Sequence, residues 1–217
     1  MSVTETTLTA TTEAGGVFAE AVGGIATIAL TIIALAGVAP DFLLAIVTIV
    51  FAAALLIEGT SIVADYANMR SKESGAAETE GMHVGAGSLA AVFLAGLTGI
   101  ILGVLALLGI HASVLISAAV ITFGSALLLN SSLVLNLYTL KARTASALLI
   151  GGAVGTAGAQ ALAGVAAIVL GILAIAGQAT VSLDLVALLV LGASLLVTGN
   201  GMNNAMISMF NRLPARA

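Results

Sequence analysis

Two carboxylates lie inside strongly apolar stretches of this sequence, Glu20 and Glu58, and an ionisable group in such surroundings is expensive enough to need a reason. One reason is chemical: a carboxylate held among apolar helices can carry a proton or bind a cation. The other is structural, since a glutamate one or two turns from a membrane boundary can extend its head group toward water or hydrogen-bond across helices. Asn130 and Thr198 recur in surroundings that match those of Glu58, and Gln160 recurs in surroundings that match those of Glu20, with Val92 at the intermediate position. Glu20, Glu58, Asn130, Gln160 and Thr198 are therefore the candidate proton, ion or polar-ring positions. Asn136, Asn200, Asn203 and Asn204 read as amides that satisfy carbonyls at a helix end. His111 is a single titrating group in a short turn, either a sensor of external acidity or an incidental surface residue.

Other chemistry is excluded or unsupported. The chain has no cysteine, which removes disulfides, thiolate metal sites and thiol nucleophiles. No Ser/His/Asp constellation, metal-ligand spacing or nucleotide-binding motif occurs, so no catalytic residue, cofactor or metal is expected and the protein reads as a non-enzyme. Six basic residues and a net charge of −4 cannot build a phosphate-binding surface, which argues against nucleic acid as a partner.

The elements that must position these groups follow from composition. Of 217 residues, 60% are apolar and 7% charged, with mean hydropathy +1.23, so 16 charged side chains cannot coat a soluble fold. Apolar runs at 17–38, 42–57, 89–110, 114–129, 162–176 and 183–197 are each long enough, with their flanks, for a membrane-spanning helix. None alternates with period two, which excludes a membrane β-barrel. The runs come in pairs separated by a few residues. Each pair thus reads as a helical hairpin, with Asp41, Ser113 and either Thr180 or Ser182 placed to cap the second helix.

The hairpins read as copies of one another. Residues 85–138 align with 153–206 at an offset of 68 without a gap, 17 of 54 positions being identical, and the first hairpin joins at an offset of 72. The expected fold is all-α: a polytopic membrane protein of six helices in three tandem hairpins, related by a pseudo-threefold axis along the membrane normal. The divisions are a polar tail at 1–14, hairpins at 15–69, 85–139 and 153–206, linkers at 70–84 and 140–152, and a basic tail at 207–217. Residues 144–152 are apolar where 76–84 are polar, so the fifth helix starts early or follows an interfacial segment. Small residues recur where helices would approach closely: Gly24, Gly96, Gly99, Gly103, Gly164 and Gly171 are the candidate packing positions, with Gly151 and Gly155 as a further pair. All six Lys and Arg residues follow the second helix of a hairpin, and the short turns have none, which places both termini and both linkers in the cytoplasm. Tyr66 and Tyr138 then fall at the cytoplasmic interface as anchors.

The third copy, LAGVAAIVLGILAIAGQATVSLDLVALLVLGASLLVTGNG, has a glycine-punctuated first helix, a short turn, and a second helix with Gly192 and a small-polar end at 199–201. It resembles the hairpin repeat of HdeD-type acid-resistance membrane proteins. That resemblance implies a six-span protein of the bacterial inner membrane linked to stress or acid tolerance, and carries over no catalytic residue. Two functions remain in view. One is a scaffold or accessory subunit that packs through glycine- and alanine-rich helix faces against copies of itself or a larger membrane complex. The other is a proton, ion or small-solute channel or transporter that uses Glu20 and Glu58. A conduit needs its polar positions on a continuous lumen; a scaffold needs a closed bundle with its small-residue faces turned outward.

Overall fold

The structure, a computed structural model, describes residues 21–72, 79–141, 147–177 and 180–210, with side chains described over 21–59, 90–131, 155, 157–177 and 180–198. It is all-helical. The helices are α1 (Ala21–Leu35), α2 (Pro40–Lys72), α3 (Thr79–Leu107), α4 (Ala112–Lys141), α5 (Ala147–Ile175) and α6 (Thr180–Phe210). The last five are long and apolar enough to cross a membrane, with candidate spans Pro40–Gly59, Ala90–Leu107, Ala112–Ser131, Ala157–Ile175 and Thr180–Thr198. α2, α4 and α6 continue well past their spans, and α3 and α5 begin about as far before theirs. The described helices α3 and α5 begin at corresponding positions, Thr79 and Ala147, so polar 79–84 and apolar 147–152 are both helical.

The turns show why the first helix of each pair stops. Gly37, Gly109 and Gly177 take φ of +91°, +79° and +84°, a left-handed conformation that costs glycine little and other residues more. The chain then folds back on the helix end: Gly37 N–H donates to Ala34 O at 3.0 Å and Val38 N–H to Ile33 O at 3.4 Å, and Gly109 and Ile110 repeat the pattern on Ala106 and Leu105. This double bond satisfies carbonyls that the helix terminus would leave open. Two residues later the backbone is left-handed again, at Ala39 (φ +41°) and His111 (φ +44°). Their carbonyls accept the first helical bonds, from Leu43 N–H at 3.0 Å and Leu115 N–H at 3.2 Å. The caps are therefore Ala39 and His111, not Asp41 and Ser113. Pro40, which has no N–H to satisfy and a helix-ready φ, takes the first helical position and leaves Asp41 inside the first turn. Ala39 holds a conformation in which its Cβ crowds the carbonyl, so Ala39→Gly is expected to stabilise the protein by about 1 kcal/mol, read as a raised unfolding midpoint in detergent; a lowered midpoint would show that the turn is not strained.

Helices α2, α4 and α6 touch one another and form the centre, while α3 packs on α2 and α4, and α5 on α4 and α6. The centre is built in layers seven residues apart. Leu44, Ile116 and Asp184 form one, Phe51, Phe123 and Leu191 the next, and Glu58, Asn130 and Thr198 the third; Leu55, Leu127 and Leu195 fill between the last two. A seven-residue repeat with residues buried three or four positions further on is the pattern of helices that keep one seam toward a common axis. The Phe51 and Phe123 rings meet there with centroids 4.9 Å apart at 57°. Outer helices α1, α3 and α5 turn Ile25, Ile32, Leu94, Ile101, Val165 and Ile172 outward. Lipid is the solvent that suits such a surface.

Because lipid is as apolar as leucine, burial alone does not hold these helices together; close backbone approach does. A Cβ placed on Gly24 would lie 3.0 Å from Gly192 O and 3.1 Å from Leu196 Cγ; on Gly96, 3.0 Å from Ala52 O and 2.7 Å from Leu56 Cγ; on Gly164, 2.6 Å from Gly124 O and 3.0 Å from Leu128 Cγ. Ala52, Gly124 and Gly192 occupy corresponding positions under the two offsets of the sequence alignment, as do Leu56, Leu128 and Leu196. The same geometry thus joins α3 to α2, α5 to α4 and α1 to α6. Gly103 and Gly171 sit on Ile49 and Ile121 in the same way, and Gly99 faces the Phe123 ring. These glycines therefore seat neighbouring helices of the same chain and do not form an outward face. Gly155, in contrast, has nothing within 4 Å of its Cβ position.

Candidate functional site

The end of the core next to the long helical extensions carries a buried polar cluster assembled from four helices. α2 supplies Glu58, α4 Asn130, α5 Gln160 and α6 Thr198. Asn130 Nδ2 donates to Glu58 Oε1 at 3.2 Å, and Gln160 Nε2 donates to Thr198 Oγ1 at 3.1 Å. The Gln160 amide also faces the Glu58 carboxylate, and Thr198 passes its own hydrogen to Ser194 O at 3.0 Å. The result is two hydrogen-bonded pairs set side by side, Asn130 with Glu58 and Gln160 with Thr198. It is dry: Glu58 is 6% exposed, Asn130 4% and Gln160 2%. Such a cluster is tolerable in an apolar bundle to the extent that its donors and acceptors are matched, and two side-chain amides face the one carboxylate. Among the described residues α3 adds nothing polar here: Val92, buried and apolar, stands at the position aligned with Gln160.

The remaining candidates are placed as follows. Glu20 lies outside the described residues. Tyr66 and Tyr138 lie on helical backbone beyond the spans of α2 and α4, and their side chains are outside the described set. His111 is exposed in the turn before α4. Thr27, Thr31 and Thr48 are fully buried, but each hydroxyl donates to a carbonyl four residues earlier, at 2.8, 2.6 and 2.8 Å, and so is used within its own helix.

A second buried carboxyl stands where the aligned positions are apolar. Asp184 on α6 is fully buried at the turn end of the core, in the layer whose other members are Leu44 and Ile116. Ser117 Oγ on α4 lies 2.8 Å from Asp184 Oδ2, while Asp184 Oδ1 has no hydrogen-bond partner among the described residues. Its signal in the sequence was being the one charged residue of the apolar run 183–197. Fourteen residues separate Asp184 from Thr198 along α6, about 21 Å at ~1.5 Å per residue. The space between is filled by the fully buried Phe51, Phe123 and Leu191 and by Leu55, Leu127 and Leu195, so the two polar layers are not joined.

Comparison with protein-family models, curated proteins and solved structures found no match.

Chemically, the extension-end cluster is a set of hydrogen bonds tying four helices at one depth. Among the described residues no three His, Cys, Asp or Glu side chains come together as a metal site would require. Within the described core, Glu58 and Asp184 are too far apart to act as a pair on one substrate, since two carboxylates working on one bond stand within about 10 Å.

Proposed function

We propose that this protein is a non-catalytic, multi-pass membrane protein that acts as a scaffold or accessory subunit. Three tandem hairpins related by a pseudo-threefold axis along the membrane normal make up the bundle. The single observation that carries the reading is the plugged core: Phe51, Phe123 and Leu191 have no exposed surface and close the axis between the two polar layers. A conduit along that axis would require a continuous wet path, and aromatic rings in contact at 4.9 Å leave no room for one. Supporting the tandem arrangement, the correspondence between the three copies recurs in the Gly24, Gly96 and Gly164 contacts, in the core layers and in the turns at Gly37 and Gly109.

In this reading the glycines are consumed in building the bundle, so a partner meets the outward apolar faces of α1, α3 and α5. Another copy of the chain or a larger membrane complex is the partner class that suits them. The distribution of Lys and Arg puts both termini in the cytoplasm, and the likeness of the third hairpin to HdeD-type repeats favours a bacterial inner membrane and a role under stress.

Two measurements test this. Proteoliposomes loaded with a pH dye are expected to show the same proton leak as empty vesicles after an acid jump, and native mass spectrometry from mild detergent is expected to give a defined particle larger than one chain. Proton flux in the wild type that disappears in Glu58→Gln would replace the scaffold with a conductor.

A further inference from the structure

The hydrogen-bond inventory around Asp184 is one hydrogen short. Ser117 Oγ lies 2.9 Å from Ser113 O and 2.8 Å from Asp184 Oδ2, but a hydroxyl has a single hydrogen to give. If the carboxyl were an anion, both neighbours would be acceptors competing for that one hydrogen, and each contact would be at best half a bond. If Oδ2 carries the proton, the arrangement closes: Asp184 Oδ2–H donates to Ser117 Oγ, and Ser117 donates to Ser113 O. Donation to the carbonyl four residues earlier is also what Thr27, Thr31, Thr48, Thr122, Ser125 and Thr198 do, so the assignment gives Ser117 the habit of its kind. The unpartnered Oδ1 is then the carbonyl oxygen of a neutral acid, far cheaper to leave dry than the oxygen of a carboxylate.

Nothing in the surroundings supplies a counter-charge. The spans of α1, α4 and α5 contain no ionisable side chain among the described residues; at this end of the core α2 brings only Asp41 in its first turn, and the α3–α4 turn brings only His111. Neither bonds Asp184. All six Lys and Arg residues come at or after the last turn of α2, α4 or α6 in the sequence, at the opposite end from Asp184. The N-terminus of α6 attracts anions, but that influence fades within the first turn and Asp184 is the fifth helical residue.

We propose that Asp184, held by Ser117, is an intramembrane proton-binding site, occupied as a neutral carboxylic acid at the turn end of the core. The corresponding positions in the other two hairpins are Leu44 and Ile116, so the site exists once per chain. It requires neither conduction nor a partner, and stands whether or not the scaffold reading holds. Releasing the proton would leave a carboxylate with one hydroxyl donor between α4 and α6, so proton occupancy and the α4–α6 contact are linked.

Infrared spectra of the lipid-reconstituted full chain at neutral pH test it. The expected result is a carboxylic-acid carbonyl band that shifts in D2O, vanishes in Asp184→Asn and persists in Glu58→Gln. No such band in the wild type, a band unchanged in Asp184→Asn, or its conversion to carboxylate stretches when sodium replaces choline would overturn the assignment, the last in favour of a metal-cation site. If Asp184→Asn does not fold, dicyclohexylcarbodiimide, which reacts with protonated carboxyls in apolar surroundings, is applied to the wild type. Modification mapped to Asp184 and undiminished by sodium supports the proposal; an unmodified Asp184 refutes it.

Discussion

Gly164→Leu is expected to separate α5 from α4 and to be among the most damaging single substitutions in the bundle. The reason is what the new side chain would strike. A Cβ on Gly164 would sit 2.6 Å from Gly124 O, a backbone atom that cannot rotate away, and 3.0 Å from Leu128 Cγ. Even Gly164→Ala forces the helices apart and should cost about 1–3 kcal/mol, as overpacking generally does; leucine should cost more and prevent recovery of folded monomer. Gly103→Ala is a graded comparison, because its nearest obstacle is the Ile49 side chain at 2.6 Å and the Ala45 carbonyl stands off at 3.4 Å. Gly155→Ala meets nothing within 4 Å and should be neutral, or stabilising by up to about 1 kcal/mol because alanine suits a helix interior better. Unfolding midpoints in mixed detergent should therefore rank Gly155→Ala at or above wild type, then Gly103→Ala, Gly164→Ala and Gly164→Leu. Wild-type stability in Gly164→Leu would mean that the two backbones do not meet as described.

That ranking depends on a distinction the sequence cannot make. Spacing marks Gly103, Gly155 and Gly164 alike as small residues on apolar helices, but helical periodicity says which residues share a face and not what the face meets. The sequence therefore allowed glycine faces turned toward partners, whereas Gly24, Gly96 and Gly164 each approach a helix of the same chain. What was legible follows from strong local physics. Hydropathy placed the runs that the helices occupy, but those runs carry on through Gly37 and Gly109, whereas the helices stop before these glycines, which take φ of +91° and +79°. The caps lie two residues earlier than side-chain preference alone indicates: preference points to Asp41 and Ser113, while the back-folded turn assigns the cap to Ala39 and His111. The polar cluster was legible through correspondence: Glu58, Asn130 and Thr198 occupy one depth on three helices that run the same way. Correspondence also hid Asp184. A criterion built on polar residues at aligned positions cannot select a residue aligned with Leu44 and Ile116.

Glu58 offers the second large effect, and its pattern of substitutions separates a structural tie from a proton carrier. Glu58→Leu removes the acceptor for Asn130 Nδ2 and the carboxylate that Gln160 faces, and a buried donor left unsatisfied costs about 1–3 kcal/mol. Gln160 keeps Thr198 Oγ1 at 3.1 Å, so the loss falls mainly on Asn130, and amides in a membrane bundle find substitute partners often enough that interhelical bonds average only about 0.6 kcal/mol. The expected destabilisation of Glu58→Leu is therefore about 1–3 kcal/mol rather than the larger sum of two orphaned groups. Glu58→Gln keeps an oxygen for Asn130 and should cost less than about 1 kcal/mol. The informative variant is the double one. Asn130→Leu alone withdraws a donor from a buried carboxylate, but Glu58→Leu with Asn130→Leu removes donor and acceptor together, so the double variant should be more stable than the two separate losses sum to, by about 1 kcal/mol or more. Additive losses in detergent unfolding would mean that the Asn130–Glu58 contact carries no coupling. If the two residues couple as expected and Glu58→Gln is nearly neutral, the carboxylate is there for its oxygen, because a group retained for its charge could not be replaced by its amide.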